Sequence, residues 1–297
     1  MTLGRTPAAT RGAVSRRLFG RLGGDSYLCL DIHLNQMAVM EVRSGTVVRW
    51  FRQAVRPEWI KQGDPVDADA LADVLRSGVA KGRMRGRQVR MTLSDQAAVI
   101  RRVSLPPMAK RDLRGGMMYA AEREMPFPPQ KAVYAWDVLS TNGSITVAIA
   151  GAWKDVVDRA ASVVFQAGLR PTVIEPRSVA LGRALNSENA VIVDGSKECL
   201  DLTVLAGGHP VFTDSAPRKP GLDSAAADVN ALVDRGIRQV PMAVSYPVLL
   251  LGDLEAQLEH IGLQARRGTS LLNGRAPEQP QDLPTAAFLA NFGLAMR

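Results

Sequence analysis

Cysteine, histidine and aromatic residues are scarce in this chain of 297 residues, which has two cysteines, three histidines and 5% aromatic residues. Cys29 and Cys199 each lie in an apolar, strand-like run, so both are predicted to be buried free thiols without a disulfide. The histidines have no cysteine or carboxylate at ligand spacing, so no metal site is predicted. His33, His209 and His260 are instead expected in turns or at the surface.

Long apolar runs are also missing. No stretch approaches the roughly 18 consecutive apolar residues that a membrane-spanning helix needs, and the first residues lack the apolar centre of a secretory signal. Hydrophobic residues make up 46% of the chain and charged residues 22%, which is an ordinary globular composition. The sequence therefore predicts an intracellular protein with a substantial core, in one large or two medium domains.

Acidic residues are absent before Asp25, whereas five arginines lie in that segment: Arg5, Arg11, Arg16, Arg17 and Arg21. Residues 1–25 are predicted to form a flexible basic tail. Since Val14, Leu18 and Leu22 recur at helical spacing, the alternative is a short amphipathic segment that lies on an anionic lipid surface or against a partner helix.

A second basic stretch runs from Lys81 to Arg114. Nucleic-acid binding is one interpretation, but the stretch has no aromatic residues for base stacking, and neither a helix-turn-helix nor a zinc-finger spacing is visible. No specific nucleic-acid partner is therefore predicted. A charged face that meets an acidic partner or lipid headgroups is the preferred interpretation.

Hydrophobic periodicity predicts strands and helices in a pattern that occurs twice. One unit begins at Leu28 and the other at Val191, and each leads from an apolar strand through an aspartate-containing turn into a second apolar strand. Helices are predicted over 67–79, 109–124, 154–167 and 178–186, after Gly252, and at the carboxyl terminus. Duplicated units with helices between them predict a two-lobed α/β protein with a central cleft.

Four segments, in this order, resemble the PilM family of actin-like type IV pilus assembly proteins, which is similar to the cell-division protein FtsA. They are "LDI" at Leu30–Ile32, "SLPPMAKRDLRGGMMYAAEREMPFPPQKAVYAWDVL", "VAIAGAWKDVVDRAASVVFQAGLRPTVIEPRSVALGRAL" and the ending Phe292–Ala295. The resemblance covers nearly the whole chain after the tail. It implies an α/β, actin-like (ribonuclease H-like) fold of two lobes, with an inserted small α+β subdomain and a truncated fourth subdomain.

The resemblance also implies domain limits. The first lobe is expected over 26–86 and again over 168–188, the inserted subdomain over 87–167, and the second lobe over 189–297 with its reduced subdomain at 215–240. The family is cytoplasmic, binds ATP in the cleft, and docks the cytoplasmic peptide of the inner-membrane pilus protein PilN. A PilN-like partner and a peripheral position at the inner membrane are therefore expected; an oligomer is left open.

If a nucleotide binds, the resemblance assigns it to six positions: Asp31, Asn35, Asp194, Gly195, Ser196 and Gly252. The chain departs from the family at the first phosphate turn, where His33, Leu34 and Asn35 replace glycine and serines, and at Asp253, which replaces a glycine. Bulky side chains there remove donors and keep backbone N–H groups from phosphate. ATP binding is thus predicted to be weak or absent, and both aspartates are interpreted as turn-stabilising residues.

These observations favour a non-catalytic scaffold of a type IV pilus or related secretion machine, without catalytic or metal-binding residues and without a resident cofactor. The first alternative is an actin-like ATP-binding protein or ATPase that uses ATP with Mg²⁺ in an unusual site. The second alternative is a basic nucleic-acid-binding protein. Affinity for Mg·ATP and a salt-dependent shift of DNA mobility would separate these alternatives from the scaffold.

Overall fold

The structure is a computed structural model that describes residues 26–141, 143–195, 199–218, 222–252, 254 and 265–297. The predicted tail at 1–25, the candidate residue Ser196 and the helix expected after Gly252 lie outside the described residues, apart from Leu254.

The strands are β1 Ser26–His33, β2 Gln36–Arg43, β3 Thr46–Ala54, β4 Gln88–Leu93, β5 Ala98–Leu105, β6 Ala132–Ser140, β7 Ile145–Trp153, β8 Arg170–Pro176, β9 Ala190–Gly195, β10 Cys199–Ala206, β11 His209–Pro217, β12 Val248–Gly252 and β13 Ala265–Arg267. The α-helices are α1 Ala68–Lys81, α2 Leu113–Glu124, α3 Lys154–Gln166, α4 Arg177–Ala184, α5 Leu222–Gln239 and α6 Leu289–Ala295. Within the described residues, no helix combines the length and the apolar character that crossing a bilayer requires.

Two five-stranded sheets have the same topology, which confirms the predicted duplication. Their strand orders are β3-β2-β1-β4-β8 and β11-β10-β9-β12-β13. In each sheet three antiparallel strands are followed by two parallel ones, so β1 of the first sheet corresponds to β9 of the second. Each of these two strands lies in the middle of its sheet, and the apolar side chains along both are buried because helices cover the sheets.

Helices α1 and α3 cover one face of the first sheet and form one core with it. Helix α1 begins as its sequence predicts, because the side chain of Asp67 accepts a hydrogen bond from the Ala70 backbone N–H. Its periodic apolar residues Leu71, Leu75 and Val79 are buried. In the second lobe, α5 packs on β10 and β11 and is the α-helix described between β11 and β12.

The inserted unit is a three-stranded sheet of order β5-β7-β6 with α2 packed on it. It extends from Ala98 to Trp153 and is thus smaller than the predicted range of 87–167. Strand β4 lies instead in the first sheet, where it pairs with β1 and β8. Helix α3 likewise belongs to the core of the first lobe. Contacts between elements that are distant in sequence determine both limits of the inserted unit. The periodicity of the sequence does not reveal these contacts.

The last segment of the chain packs against both lobes, whereas the sequence placed it with the second alone. Phe288 and Phe292 are fully buried in a cluster with residues of β1, β2 and α4. Asn291, also fully buried, donates hydrogen bonds from Nδ2 to the backbone oxygens of Cys29 and Ala38. Helix α6 therefore holds α4 against the first sheet.

We predict that Gly293→Ala strongly destabilises the protein. A Cβ at this position of α6 would overlap the backbone oxygen of Ala180 in α4, and this neighbour is backbone rather than the end of a flexible side chain. The expected loss in the free energy of unfolding is about 3 kcal/mol, at the upper end for overpacked positions. Urea denaturation of both proteins measures it.

The matched control is Gly115→Ala in α2. A Cβ there meets no atom within 4 Å, and alanine is the better helix former. This variant is expected to be as stable as the native protein or slightly more stable. Equal stability of both variants would contradict close packing of α6 on α4.

Candidate functional site

The two aspartates predicted from the duplicated units face each other across the cleft between the lobes. Asp31 lies near the carboxyl end of β1, and Asp194 lies near the carboxyl end of the corresponding strand β9. Both are almost completely buried, with 4% and 6% of their surface exposed. The structure thus brings together two carboxylates that are 163 positions apart in the chain, since 194 − 31 = 163.

A buried arginine bridges the two carboxylates. Arg177, the first residue of α4, is 7% exposed. Its Nε lies 3.1 Å from Oδ2 of Asp31, and its Nη2 lies 2.7 Å from Oδ2 of Asp194. The remaining oxygen of Asp31, Oδ1, accepts a hydrogen bond of 2.5 Å from the hydroxyl of Thr92 on β4. The guanidinium therefore occupies the space between the aspartates and joins the two lobes.

The electrostatics of this bridge favour the charged forms of Arg177 and Asp194. Burial alone would raise the pKa of Asp194, but the Arg177 guanidinium and His33 outweigh it and hold that pKa far below its usual range. Burial likewise opposes the charge of Arg177, yet Asp31 and Asp194 raise its pKa above the ordinary value. Arg177 and Asp194 therefore form an ion pair.

His33, at the end of β1, extends the network to a third carboxylate. Its Nε2 lies 3.4 Å from Oδ2 of Asp194 and 3.5 Å from Oδ2 of Asp201 on β10. His33 flanks the two-residue turn between β1 and β2, as expected of a turn histidine, but its side chain is only 10% exposed and so does not lie at the surface. His209 is half-buried, and burial lowers its pKa, whereas His260 lies outside the described residues.

Asp95, in the loop between β4 and β5, fixes the start of α4 beside Arg177. Its carboxylate accepts hydrogen bonds from the backbone N–H of Ser178 at 2.9 Å and from the Ser178 hydroxyl at 2.6 Å. Burial raises the pKa of Asp95 to about 6, and the nearby charge of Asp201 adds to the effect, against the hydrogen bonds from Ser178 and the charge of Arg177.

The turn between β1 and β2 is tight and carries no glycine. Leu34 and Asn35 have φ values of 48° and 59°, so both are in the left-handed region, as a two-residue hairpin with a type I′ turn requires. Asparagine tolerates this region, whereas a branched leucine is strained in it. Both residues line one side of the cleft.

Gly195 and Gly252 are neighbours in the second sheet, at the ends of β9 and β12. The candidate residues Asp31, Asp194, Gly195 and Gly252 are therefore brought to one end of the two sheets. The side chains of Leu200 and Leu254 fill the space that a Cβ on Gly195 would enter, at 2.8 and 2.7 Å. Apolar side chains thus lie against Gly195.

One pocket in the cleft is formed by described residues. It measures about 130 Å³ and is lined by residues of both lobes: Ile32, His33, Leu34, Asn35, Ile60, Gln62, Ser94, Gln96, Cys199 and Asp201. Pockets that enclose ligands of drug size measure roughly 300–1,000 Å³.

Burial raises the pKa of Cys199 to about 11 and, by the same effect, that of Cys29 to about 12, so neither thiol is an activated nucleophile. Within the described residues, no group of three or more histidine, cysteine or acidic side chains is placed to hold a metal ion.

Sequence reasoning found the two aspartates but missed Arg177, Asp95 and the position of His33. One signal for Arg177 was available. A positive charge in the first turn of a helix opposes the helix dipole, so an arginine directly after Pro176 at the predicted start of α4 needs a compensating partner. The sequence did not identify that partner.

Comparisons with known proteins agree with this geometry. A family model described as type IV pilus assembly protein PilM matches residues 32–208. A solved PilM–PilN type IV pilus biogenesis complex contains a similar chain, with a TM-score of 0.71 and 18% identity over 91% of this chain and 98% of that one. No curated protein matches by sequence.

Two further solved structures are similar. The cytoplasmic domain of EpsL, an inner membrane component of the type II secretion system of Vibrio cholerae, has a TM-score of 0.54 and 12% identity over 92% of this chain and 94% of that one. The ethanolamine utilization protein EutJ from Carboxydothermus hydrogenoformans has a TM-score of 0.50 and 14% identity over 93% and 90%. Together with the sheet topology, these likenesses confirm the predicted two-lobed actin-like fold.

We predict that Asp95 makes the stability of the protein depend on pH. Its pKa of about 6 in the folded state lies above the ordinary value of 3.8, so its contribution to stability is complete below about pH 4 and is lost as the pH rises through 6. The stability of the native protein relative to Asp95→Asn should therefore increase as the pH falls from about 7 to about 4.

Urea denaturation of both proteins across this range measures the difference, and a ¹³C carboxyl titration locates the proton. Asp112→Asn, at an exposed position beside α2, is the control and should leave the pH profile unchanged. Parallel profiles of the native protein and Asp95→Asn would contradict the assignment.

Proposed function

Because the chain belongs to the PilM family of type IV pilus assembly proteins, we propose that it is a non-catalytic scaffold that binds the cytoplasmic segment of a PilN-like membrane protein. It acts at the cytoplasmic face of the inner membrane, as a peripheral component of a pilus or a related secretion machine. The solved PilM–PilN complex supports a partner of this kind, since its PilM-like chain has the same fold.

One observation carries the non-catalytic role. The carboxylates of Asp31 and Asp194, which a nucleotide-dependent actin-like protein would direct at a bound cation, are both paired with Arg177. A scaffold needs a stable shape and a docking surface rather than turnover. The chain holds the cleft together with its own side chains and so has the stable shape that a scaffold needs.

The inserted unit offers the docking surface. Tyr119 on α2 is 66% exposed, which is unusual for a residue of this size in a packed domain. Exposed basic residues surround the start of the same helix: Lys110, Arg111 and Arg114. An aromatic anchor beside positive charge suits a short segment that carries both apolar and acidic residues.

We predict that Tyr119→Ala weakens binding of the cytoplasmic peptide of the PilN-like protein by tenfold or more, since loss of a central aromatic anchor costs about 1.4 kcal/mol or more. Isothermal titration of the peptide into the native protein and the variant measures the change. The matched control is Phe165→Ala on α3, which removes an aromatic side chain that is 45% exposed on the first lobe.

The same titration with and without Mg·ATP tests the non-catalytic role. The peptide affinity is expected to be equal in both conditions, and the Phe165 variant is expected to bind like the native protein. No binding in either condition would refute the partner, whereas binding only with Mg·ATP would refute the nucleotide-independent scaffold.

A second basic surface supports contact with anionic lipid. Ser26 and the backbone N–H of Arg85 both donate hydrogen bonds to Glu41, so the first described residue lies beside Arg85. Several basic side chains are exposed at this end of the first sheet, and none of them has an ion-pair partner among the described residues: Lys81, Arg83, Arg85, Arg87 and Arg170. These side chains form a positive surface at the end of the first sheet opposite to Asp31.

We predict that Arg83→Glu combined with Arg87→Glu weakens binding to phosphatidylglycerol-containing vesicles by tenfold or more, because each basic residue near an anionic membrane contributes about 1 kcal/mol. Vesicle co-sedimentation at low and high salt measures it. The control is Arg111→Glu with Arg114→Glu, which alters the docking surface of α2. The control should lower peptide binding and leave vesicle binding unchanged. The opposite result would mean that the α2 surface binds lipid and the other surface binds the peptide.

A further inference from the structure

The position of Arg177 is fixed by the fold rather than by a flexible loop. Arg177 begins α4, which connects β8 of the first sheet to β9 of the second. The Ser178–Asp95 hydrogen bonds hold the start of this helix, and the side chain reaches one aspartate from each lobe. The guanidinium is therefore a permanent part of the cleft.

The charge of the cleft requires a cation at this point. Asp31 and Asp194 are two buried carboxylates that face the same space, and buried like charges without a partner are costly. A divalent cation held by one or two carboxylates and water is one way to neutralise such a pair. The planar guanidinium is another, since it donates from Nε to one aspartate and from Nη2 to the other.

The surrounding residues do not fit a nucleotide phosphate chain with its Mg²⁺ ion. The guanidinium fills the space where a cation would contact both aspartates. Leu200 and Leu254 cover the backbone at Gly195. The first turn presents Leu34 and Asn35, and it has no glycine to let a phosphate approach the main chain.

We infer that Arg177 is an internal substitute for a divalent cation: it holds the lobes closed without ligand, and removing its side chain turns Asp31 and Asp194 into a divalent-cation site. The inference rests on the same closed cleft as the proposed non-catalytic role. Its test needs no pilus protein, so the two proposals can fail separately.

The test compares the native protein with Arg177→Ala in the presence of Mn²⁺, which reports Mg²⁺-type sites by electron paramagnetic resonance. The native melting temperature should not change with Mn²⁺. The variant should melt at a lower temperature than the native protein, bind one Mn²⁺ ion, and gain about 5 °C when the ion saturates it. If the variant folds only with Mn²⁺, circular dichroism reports the same result.

Two further variants separate coordination from a general loss of stability. Arg177→Lys keeps a cation in the cleft and should not respond to Mn²⁺. Asp31→Asn in the Arg177→Ala background removes one ligand, so the affinity for Mn²⁺ should fall at least tenfold. Replacing both aspartates by asparagine in that background should restore the melting temperature without metal, because no buried charge is then left unpaired.

Three results would overturn the inference: one Mn²⁺ ion bound by the native protein in this cleft, a folded Arg177→Ala variant without a Mn²⁺ response, or micromolar binding of Mg·ATP by the native protein. The last result would also refute the non-catalytic role. Failure of peptide binding alone would leave the assignment of Arg177 standing.

Discussion

The ion bridge from Asp31 through Arg177 to Asp194 is the interaction on which the arrangement of the lobes depends. Each aspartate ends the central strand of one sheet, so the bridge joins the two duplicated halves at equivalent points. Desolvation makes such a bridge a poor source of stability compared with apolar packing, but removing one partner leaves a buried charge unpaired. The bridge therefore specifies how the lobes meet more than it adds to their stability, and it excludes open arrangements in which the carboxylates separate from the guanidinium.

The position of Arg177 depends in turn on contacts that lie outside the cleft. Helix α4 lies against α6, and their backbones approach so closely that Gly293 has no room for a side chain. Arg183 at the other end of α4 pairs with the buried Glu175. The carboxyl-terminal residue Arg297 also pairs with Glu175, so the end of the chain is tied to the element that places Arg177. Packing of the last helix and charge in the cleft are thus parts of one structural unit.

Much of the fold could be predicted because its signals are local. Apolar alternation identified most strands, and the repeated strand–aspartate–turn pattern identified the two lobes and the residues Asp31 and Asp194. Strand β4 was assigned to the wrong unit, and the contacts of the carboxyl-terminal segment with the first lobe were missed, because their partners are distant in sequence. Arg177 was missed for the same reason: its two partners lie 146 and 17 positions away, and nothing near it in the chain reveals them.

The duplicated topology itself explains why a cation is needed. Equivalent positions in two copies of one unit place the same kind of residue on both sides of the cleft, so an aspartate in the motif becomes a pair of facing carboxylates. When both carboxylates of such a pair are ionised, they approach each other around positive charge. When that charge comes from a bound ligand, closure depends on the ligand's concentration, because a ligand shifts a conformational equilibrium only by its differential affinity for the two states. When the charge belongs to the chain, as we infer for Arg177, closure needs no ligand. Under the proposed function, such a fold keeps the shape of the closed state without nucleotide control, which suits a component that holds other proteins in place.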